Sequence, residues 1–339
     1  MRRAAFFYII ISVGGFDLMK CASFFAGVGG IEEGFEQAGF EIIYANEMDD
    51  YAVKTYELNF PIKVDHRKIE DVKGKDVPDC DIVMGGFPCQ AFSIAGYRKG
   101  FEDKERGMLF FELLRIIRAK KPRVVFCENV KNLVSHDNGN TYRVIRDALK
   151  DAGYEVKNAV LNGMEYGNVP QNRERIYIVG FRKKKDFKNF EFPESIPLTC
   201  QLSDVIDYDK KVDDKYYYSK DKCSFYDKLK ASVTNKNTVY QWRRVYVREN
   251  KSNVCPTLTA NMGEGGHNVP IVLTKYGIRK LTPHECFNLQ GYPKDYRLPD
   301  DMAQTHLYKQ AGNSVVVPVI RRIAEQIANA IEETDNEEA

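Results

Sequence analysis

The stretch 85-GGFPCQAFS-93 sets a cysteine directly after a proline, in a run too rich in glycine and proline for helix or strand. A cysteine packed as a small hydrophobe needs no such surroundings, so Cys89 reads as a nucleophile. A thiol attacks as its thiolate, and a free cysteine with a pKa of ~8.5 is only slightly ionised near neutrality, so it needs partners. Glu128, in 123-RVVFCENV-130, can be a proton donor or hydrogen-bond partner if burial raises its pKa. Arg173 and Arg175, in 171-QNRERIYIVGF-181, add positive charge. The other role open to them is a surface ion pair with Glu174, which would be worth little.

Such groups act together only if the fold carries them to one place. From Lys20 the chain reads 20-KCASFFAGVGGIEEGFEQAGFEIIYANEMDD-50. A short apolar stretch stops at Gly27, Gly29 and Gly30, after which Ile31, Gly34, Phe35 and Ala38 recur at helical spacing. Gly39 marks a helix stop, and 40-FEIIYANE-47 is a second apolar run that ends in an acid. This series of strand, glycine turn, helix and strand opens a doubly wound α/β sheet. Glycines let the backbone approach a ligand, and Glu47, about 20 residues on, is placed to accept hydrogen bonds from ribose hydroxyls. A nucleoside-containing cofactor is implied. The spacing is not GxGxxG, because position 32 is Glu, which argues against a nicotinamide dehydrogenase. Further along, 80-CDIVMGG-86 and 123-RVVFCENV-130 are apolar runs that break into polar residues, with an amphipathic helix over 107–121 between them. Ligands of open α/β sheets bind beyond the carboxyl ends of the strands, where Cys89 and Glu128 both fall.

The totals narrow the class. At 339 residues, 43% apolar and 29% charged, the chain has room for a large domain plus a smaller one. The eight cysteines form no CxxC pair and the histidines do not cluster, so neither a zinc site nor a disulfide framework is expected. The cysteine usage fits a reducing, cytoplasmic setting. A net charge of +2 decides nothing about nucleic acid, since placement matters more than the sum; residues 200–275 hold 13 Lys plus Arg against 9 Asp plus Glu.

The ordered blocks 24-FFAGVGG-30, 46-NEMD-49, 85-GGFPCQAFS-93, 128-ENV-130, 171-QNRER-175, 281-LTPHECFNLQGYP-293 and 310-QAGNSVVVP-318 closely resemble the DNA (cytosine-5)-methyltransferases of bacterial restriction–modification systems. They span about residues 20–330, apart from the middle of the second half. The resemblance implies a Rossmann-like S-adenosylmethionine-dependent methyltransferase domain with a smaller, mostly β and irregular target-recognition domain. It implies that Cys89 adds to C6 of cytosine, that Glu128 holds the N3 and amino edge, and that Arg175 contacts the O2 side with Arg173 in support. No side chain is assigned as the base for the C5 proton. The cofactor would lie over Phe25, Gly27 and Gly29, with Glu47 on the ribose, Met48 against the adenine, Asp65 on the adenine amino group, Pro88 alongside and Asn313 closing the pocket. S-adenosylhomocysteine would be the product, and no metal is called for. His66 departs from the family, which usually carries Ile after the acid. Because the reacting carbon lies inside the duplex stack, the base must be flipped out, and 91–107 is expected to be a lid that closes over it.

In the second half the alternation of strands and helices is lost from about residue 193. There 241-QWRRVYVREN-250 reads as a short strand carrying arginines, and 254-VCPTLTANMGEGGHN-268 as a glycine-rich loop containing the family's Thr-Leu pair, Thr257-Leu258. Arg243, Arg244 and Arg248 are candidate phosphate or guanine contacts, with a solvated strand face as the alternative. Gln90, Ser93 and Thr257 complete the expected DNA contacts. The expected division is an extraneous extension over 1–18, a discontinuous catalytic and cofactor-binding domain over 19–192 plus 305–335, a target-recognition domain over 193–280 and a hinge over 281–304. The expected partner is double-stranded DNA, with a cognate restriction endonuclease acting independently, no membrane association and monomeric action. Competing readings are a tRNA cytosine methyltransferase of the same family and a non-catalytic DNA-binding repressor.

Overall fold

A computed structural model describes residues 18–88, 109–264 and 269–338. The expectations placed on Cys89, Gln90, Ser93, the 91–107 lid and residues 1–17 fall outside these residues.

The chain begins with β1 (Lys20–Phe24), buried from its second residue onward, then α1 (Gly30–Gln37), β2 (Glu41–Asn46) and α2 (Asp50–Asn59). Asp49 caps α2, its carboxylate accepting from the amides of Tyr51 and Ala52, donors that a helix start leaves open. The alternation continues through β3 (Ile82–Gly85), α3 (Leu109–Lys120), β4 (Val124–Val130), α4 (Asn140–Asp151) and β5 (Glu155–Asn162). The two-residue β6 (Gln171–Asn172) then leads into β7 (Glu174–Phe181).

These strands form a six-stranded sheet ordered β2-β1-β3-β4-β7-β5. β7 runs antiparallel between β4 and β5, whereas the pairs among β1 to β4 are parallel. From β1 the chain steps to β2 on one side and later to β3 on the other. Such a reversal opens a crevice at the carboxyl ends of the strands. The α/β class expected from the alternation is the one found.

A smaller lobe contains α5 (Tyr226–Ser232), β8 (Tyr240–Arg243), β9 (Tyr246–Glu249), β10 (Cys255–Pro256), β11 (Ile271–Thr274) and β12 (Gly277–Lys280). Four of its strands form an antiparallel sheet ordered β12-β11-β8-β9, while β10 pairs in parallel with β6. The single strand expected over 241–250 is a tight hairpin instead. Arg244 turns the chain at a φ of 54°, in the left-handed region that non-glycine residues seldom occupy. On the inner face Trp242 stacks on Phe225 with ring centroids 4.1 Å apart, and Lys228 Nζ donates to the carbonyl of Val245 at 3.2 Å, which holds the turn from below.

The chain closes with α6 (Pro283–Asn288), α7 (Gln304–Asn313) and α8 (Val317–Glu338). Ile320, Ile323, Ile327 and Ile331 of α8 are spaced three or four apart and bury against Phe35 and Phe126 of the large sheet layer. Between the lobes, Val28, Tyr56 and Phe60 share one apolar cluster with Leu258, Phe287 and Tyr292. The 281–304 stretch is packed into this junction, where the Tyr296 hydroxyl donates to the carbonyl of Val28 at 2.5 Å. The two lobes therefore rest on a common core beside the crevice.

Candidate active site

Strand register brings the two charged groups together. Glu128 of β4 lies opposite Tyr177 of β7, and Arg175 lies opposite Val130. Arg175 is thus two residues along from the partner of Glu128, on the same face and in diagonal contact. Its Nε meets Glu128 Oε1 at 3.1 Å, while Nη1 donates to the carbonyl of Glu174 at 2.8 Å. Glu128 is 9% exposed. Burial pushes its pKa above the usual carboxylate value, while Arg175 and then Arg173 pull the other way. The result is a carboxyl poised to carry a proton, held in place by a guanidinium.

The chain leading to Cys89 is tied to the same spot. Asn129 Nδ2 donates to the carbonyl of Phe87 at 2.8 Å, so the residue after Glu128 anchors the residue before Pro88. A Cβ placed on Gly86 would lie 3.4 Å from Glu128 Oε2, which puts the 85–87 backbone against the carboxyl. Pro88 is exposed at the end of this segment. Asn129 did not stand out in the sequence; its place beside Glu128 in 128-ENV-130 was the available signal.

Across the crevice lies the turn after β1. Phe25, Gly27 and Gly29 all have positive φ, at 54°, 56° and 82°. Gly29 could carry no side chain, since its Cβ would sit 2.1 Å from the Phe60 ring, whereas among the described residues the atom near a Cβ on Gly27 is the Phe25 carbonyl oxygen at 4.0 Å. Glu47 closes the turn: Oε2 accepts from Gly27 N at 2.8 Å, and Oε1 accepts from the amides of Met48 at 2.8 Å and Asp49 at 2.9 Å. Among the described residues Oε2 accepts this one hydrogen bond. Met48 stands next to it, 61% exposed, an apolar platform open to solvent. These residues fit a nucleoside, offering an acceptor for its hydroxyls, a flat apolar contact and glycine backbone that admits close approach.

Asp65 is more heavily engaged than the sequence suggests. It accepts from the Tyr44 hydroxyl at 2.7 Å and from Arg67 at 2.8 and 2.6 Å, and Arg67 holds its carboxyl below the usual carboxylate range. The Arg67 backbone amide adds to these donors, so the Asp65 carboxylate is largely occupied. His66 Nε2 lies 3.1 Å from both the Met48 carbonyl and Asp50, beside the Met48 platform. Asn313 is exposed at the end of α7, and its neighbour Ser314 reaches the glycine turn: a Cβ on Gly30 would lie 2.8 Å from Ser314 Oγ. Among the described residues there is no group of three or more His, Cys, Asp or Glu that could hold a metal, and no helix is long and apolar enough to cross a membrane.

The profile of the C-5 cytosine-specific DNA methylase family matches residues 19–329. This chain belongs to that family. The methylase is 63% identical over 311 residues to the Type II methyltransferase M.Bsp6I of Bacillus sp. (strain RFL6), covering 91% of this chain and 98% of that one. It is 40% identical over 321 residues to M.HhaI of Haemophilus parahaemolyticus, covering 92% and 95%. Among solved structures, DNMT2 of Spodoptera frugiperda superposes with a TM-score of 0.69 at 20% identity, over 91% of this chain and 99% of that one, a likeness of fold. The protein is a DNA cytosine-5-methyltransferase.

Two groups of expected residues lie apart from the Glu128 pair. Arg173 of the methylase is buried and turned to main-chain carbonyls: Nη1 donates to Leu258 at 2.6 Å, and Nη2 to Gly312 at 3.0 Å and to Ser314. The Thr257 hydroxyl donates to the Asn172 carbonyl at 2.6 Å, and Gln171 takes the Leu258 amide at 3.2 Å while donating to the Leu289 carbonyl at 3.0 Å. Asn162 completes the bracket, bonding the Arg173 amide and the Asn172 side chain. Gln171 and Asn172 lie in the 171-QNRER-175 block without a role assigned to them there, and Asn162 lies outside every block. On the hairpin, Arg243, Tyr246 and Arg248 share a face with Gln241, opposite the buried Tyr240 and Trp242, and Arg244 sits in the turn. All three arginines are exposed there, beside Val245 at 69% and Tyr246 at 56% exposure.

Proposed function

We propose that the methylase transfers the methyl group of S-adenosylmethionine to C5 of a cytosine flipped out of duplex DNA, through a covalent bond between Cys89 Sγ and C6. Cytosine C5 is a poor nucleophile. Addition of the Cys89 thiolate at C6 breaks the C5–C6 double bond and makes C5 an enamine carbon able to attack an electrophile. Glu128, whose proton affinity burial raises, donates a proton to N3 as the thiolate adds, so that no negative charge accumulates on the ring. Arg175 holds Glu128 in position and faces the O2 side. S-adenosylmethionine, when bound, supplies an electrophilic methyl group and leaves as S-adenosylhomocysteine. Loss of the C5 proton then restores the double bond, expels the thiolate and returns the N3 proton to Glu128.

The observation that carries this reading is the buried Glu128–Arg175 pair, tied through Asn129 and Phe87 to the segment that ends at Pro88, directly before Cys89. The cofactor reading is supported by the open face of Gly27, the exposed Met48 and a Glu47 carboxylate fixed by three amides. In this reading Phe25 and Gly29 shape the floor, Glu47 takes the ribose hydroxyls, Met48 meets the adenine, Asp65 lies toward its amino group, Pro88 borders the methyl donor and Asn313 covers it. Residues 193–280 read the DNA, with Gln90 and Ser93 contacting the duplex from the catalytic side. The relatives are named as Type II methyltransferases, which supports a place in a restriction–modification system; the reading adds a nuclease acting separately, a monomeric enzyme and a cytoplasmic setting.

Bisulfite sequencing of total DNA from a host lacking cytosine methylation and expressing the protein tests the reading. Protected cytosines confined to one short sequence are expected. Soluble protein with no protected cytosine would overturn it and turn attention to RNA.

A further inference from the structure

We infer that Arg173 is a positioning residue that couples duplex engagement to cofactor engagement, an inference that rests on the proposed function. Its guanidinium is 2% exposed and spans two segments far apart in the chain, the Thr-Leu segment at 257–258 and the 312–314 turn. Those segments belong to opposite halves of the reaction: 257–260 lies on the side that meets DNA, and Gly312 and Ser314 flank Asn313, which covers the cofactor. The planar fork of arginine satisfies carbonyls on both sides at once, and a lysine ammonium cannot reproduce that geometry.

A second observation joins the two segments directly. A Cβ on Gly312 would lie 2.1 Å from the Thr259 carbonyl carbon and 2.3 Å from Ala260 N, so the two backbones are in direct contact. Beyond the turn, Ser314 Oγ presses on Gly30 at the glycine turn, and its hydroxyl is bonded to that of Tyr292. On the other side, Thr257 is fastened to Asn172, next to Arg173 in the chain. Tightly packed elements of this kind shift as units rather than deform independently. A displacement of 257–260 by bound DNA is therefore passed through Arg173 and Gly312 to Asn313 and the cofactor turn. Linkage makes the effect reciprocal, so DNA tightens the cofactor site by the same factor by which cofactor tightens DNA.

The test is calorimetric titration of S-adenosylhomocysteine into the full-length protein, alone and saturated with short duplexes cut from chromosomal DNA free of cytosine methylation, at one fixed salt concentration. In the wild type the duplexes are expected to tighten S-adenosylhomocysteine by about fivefold or more, within the usual range of coupling between sites. In Arg173→Lys that gain should fall below about twofold, while S-adenosylhomocysteine still binds without DNA. Should Arg173→Lys fail to fold, Thr257→Val decides the matter, since it keeps the branched shape and removes only the hydroxyl that fastens the segment to Asn172; a reduced gain is expected. An undiminished gain in whichever variant folds, or no gain in a wild type that binds both ligands, overturns the coupling. A wild type that does not bind S-adenosylhomocysteine at all would instead overturn the proposed function.

Discussion

The crevice end of the large sheet and the hairpin of the small one both present arginines, and they treat them in opposite ways. At the crevice Arg175 is half-buried against Glu128, and Arg173 is buried against three carbonyls. On the hairpin Arg243, Arg244 and Arg248 stand in solvent, and among the described residues their one side-chain bond runs from Arg243 to Gln241 at 3.1 Å. A covalent reaction needs atoms held to a fraction of an ångström, and burial with paired charges and carbonyls supplies that. Reading a groove needs long donors that can adjust to base edges and phosphates, and exposure leaves them free to do so. The difference teaches that this chain places rigidity at the chemistry and keeps adaptability at the readout.

The largest expected effects lie at the rigid end. Cys89→Ser should abolish methyl transfer while duplex binding persists, and wild-type turnover in that variant would sink the covalent route. Glu128→Gln keeps the shape and removes the proton, so single-turnover methyl transfer should fall about 10²–10⁴-fold, the usual scale for a positioned acid. A loss under tenfold would mean that Glu128 is a structural partner of Arg175, and the contrast between the two regions would lose its chemical meaning.

How much of this was legible in the sequence depends on what carries the information. Glu47 and Glu128 could be found because each ends an apolar run, and the alternation of runs places strand ends at the crevice. The resemblance to the family sets Arg175 beside Glu128 on one ring, but their direct ion pair depends on β7 slipping antiparallel between β4 and β5, and no local pattern records strand order. The turn at Arg244 was hidden because it lacks the Gly or Asn that usually marks a positive φ. Arg173 was legible only as a charge. Its partners are main-chain carbonyls of Leu258, Gly312 and Ser314, and a carbonyl carries no residue identity for a reader of sequence to notice.

Glu32 stands furthest from burial with pairing. In the first turn of α1, it has no exposed surface and neither carboxylate oxygen makes a well-formed hydrogen bond among the described residues, although the Ser23 hydroxyl and its own amide lie near enough to favour the charged form. Burial pushes its pKa from 4.5 up to about 8. Between those values the folded protein holds a proton that the unfolded chain releases, so stability is fully present below pH 4.5 and declines as pH rises toward 8. Glutamine cannot ionise, so Glu32→Gln should gain on the wild type across that window, by at most about 1.4 kcal/mol per pH unit. An unpaired amide offsets part of the gain. Urea unfolding of both proteins at pH 5 and pH 7.5 reads the difference, which should be larger at the higher pH. An equal difference at both would show that Glu32 is ionised and paired in solution.

The smallest effects belong to the hairpin, and they sharpen the comparison most. Exposed arginines contribute little to the fold, so Arg243→Ala and Arg248→Ala should each leave stability within about 0.5 kcal/mol of the wild type. Their cost should appear in binding. For an arginine that reads a base, truncation would weaken the cognate duplex by about 1–3 kcal/mol and relax selectivity at one base pair, because a guanidinium bridging guanine O6 and N7 discriminates by that amount. For an arginine that grips a phosphate, truncation would weaken all duplexes alike and lower the salt slope by about one unit. Titrating each variant against cognate and scrambled duplexes over a range of salt separates the two. Because Arg243 and Arg248 share a face with Tyr246, both should move binding in the same sense. Wild-type binding and salt slope in both variants would show that this face points to solvent and that the small lobe reads DNA with another surface.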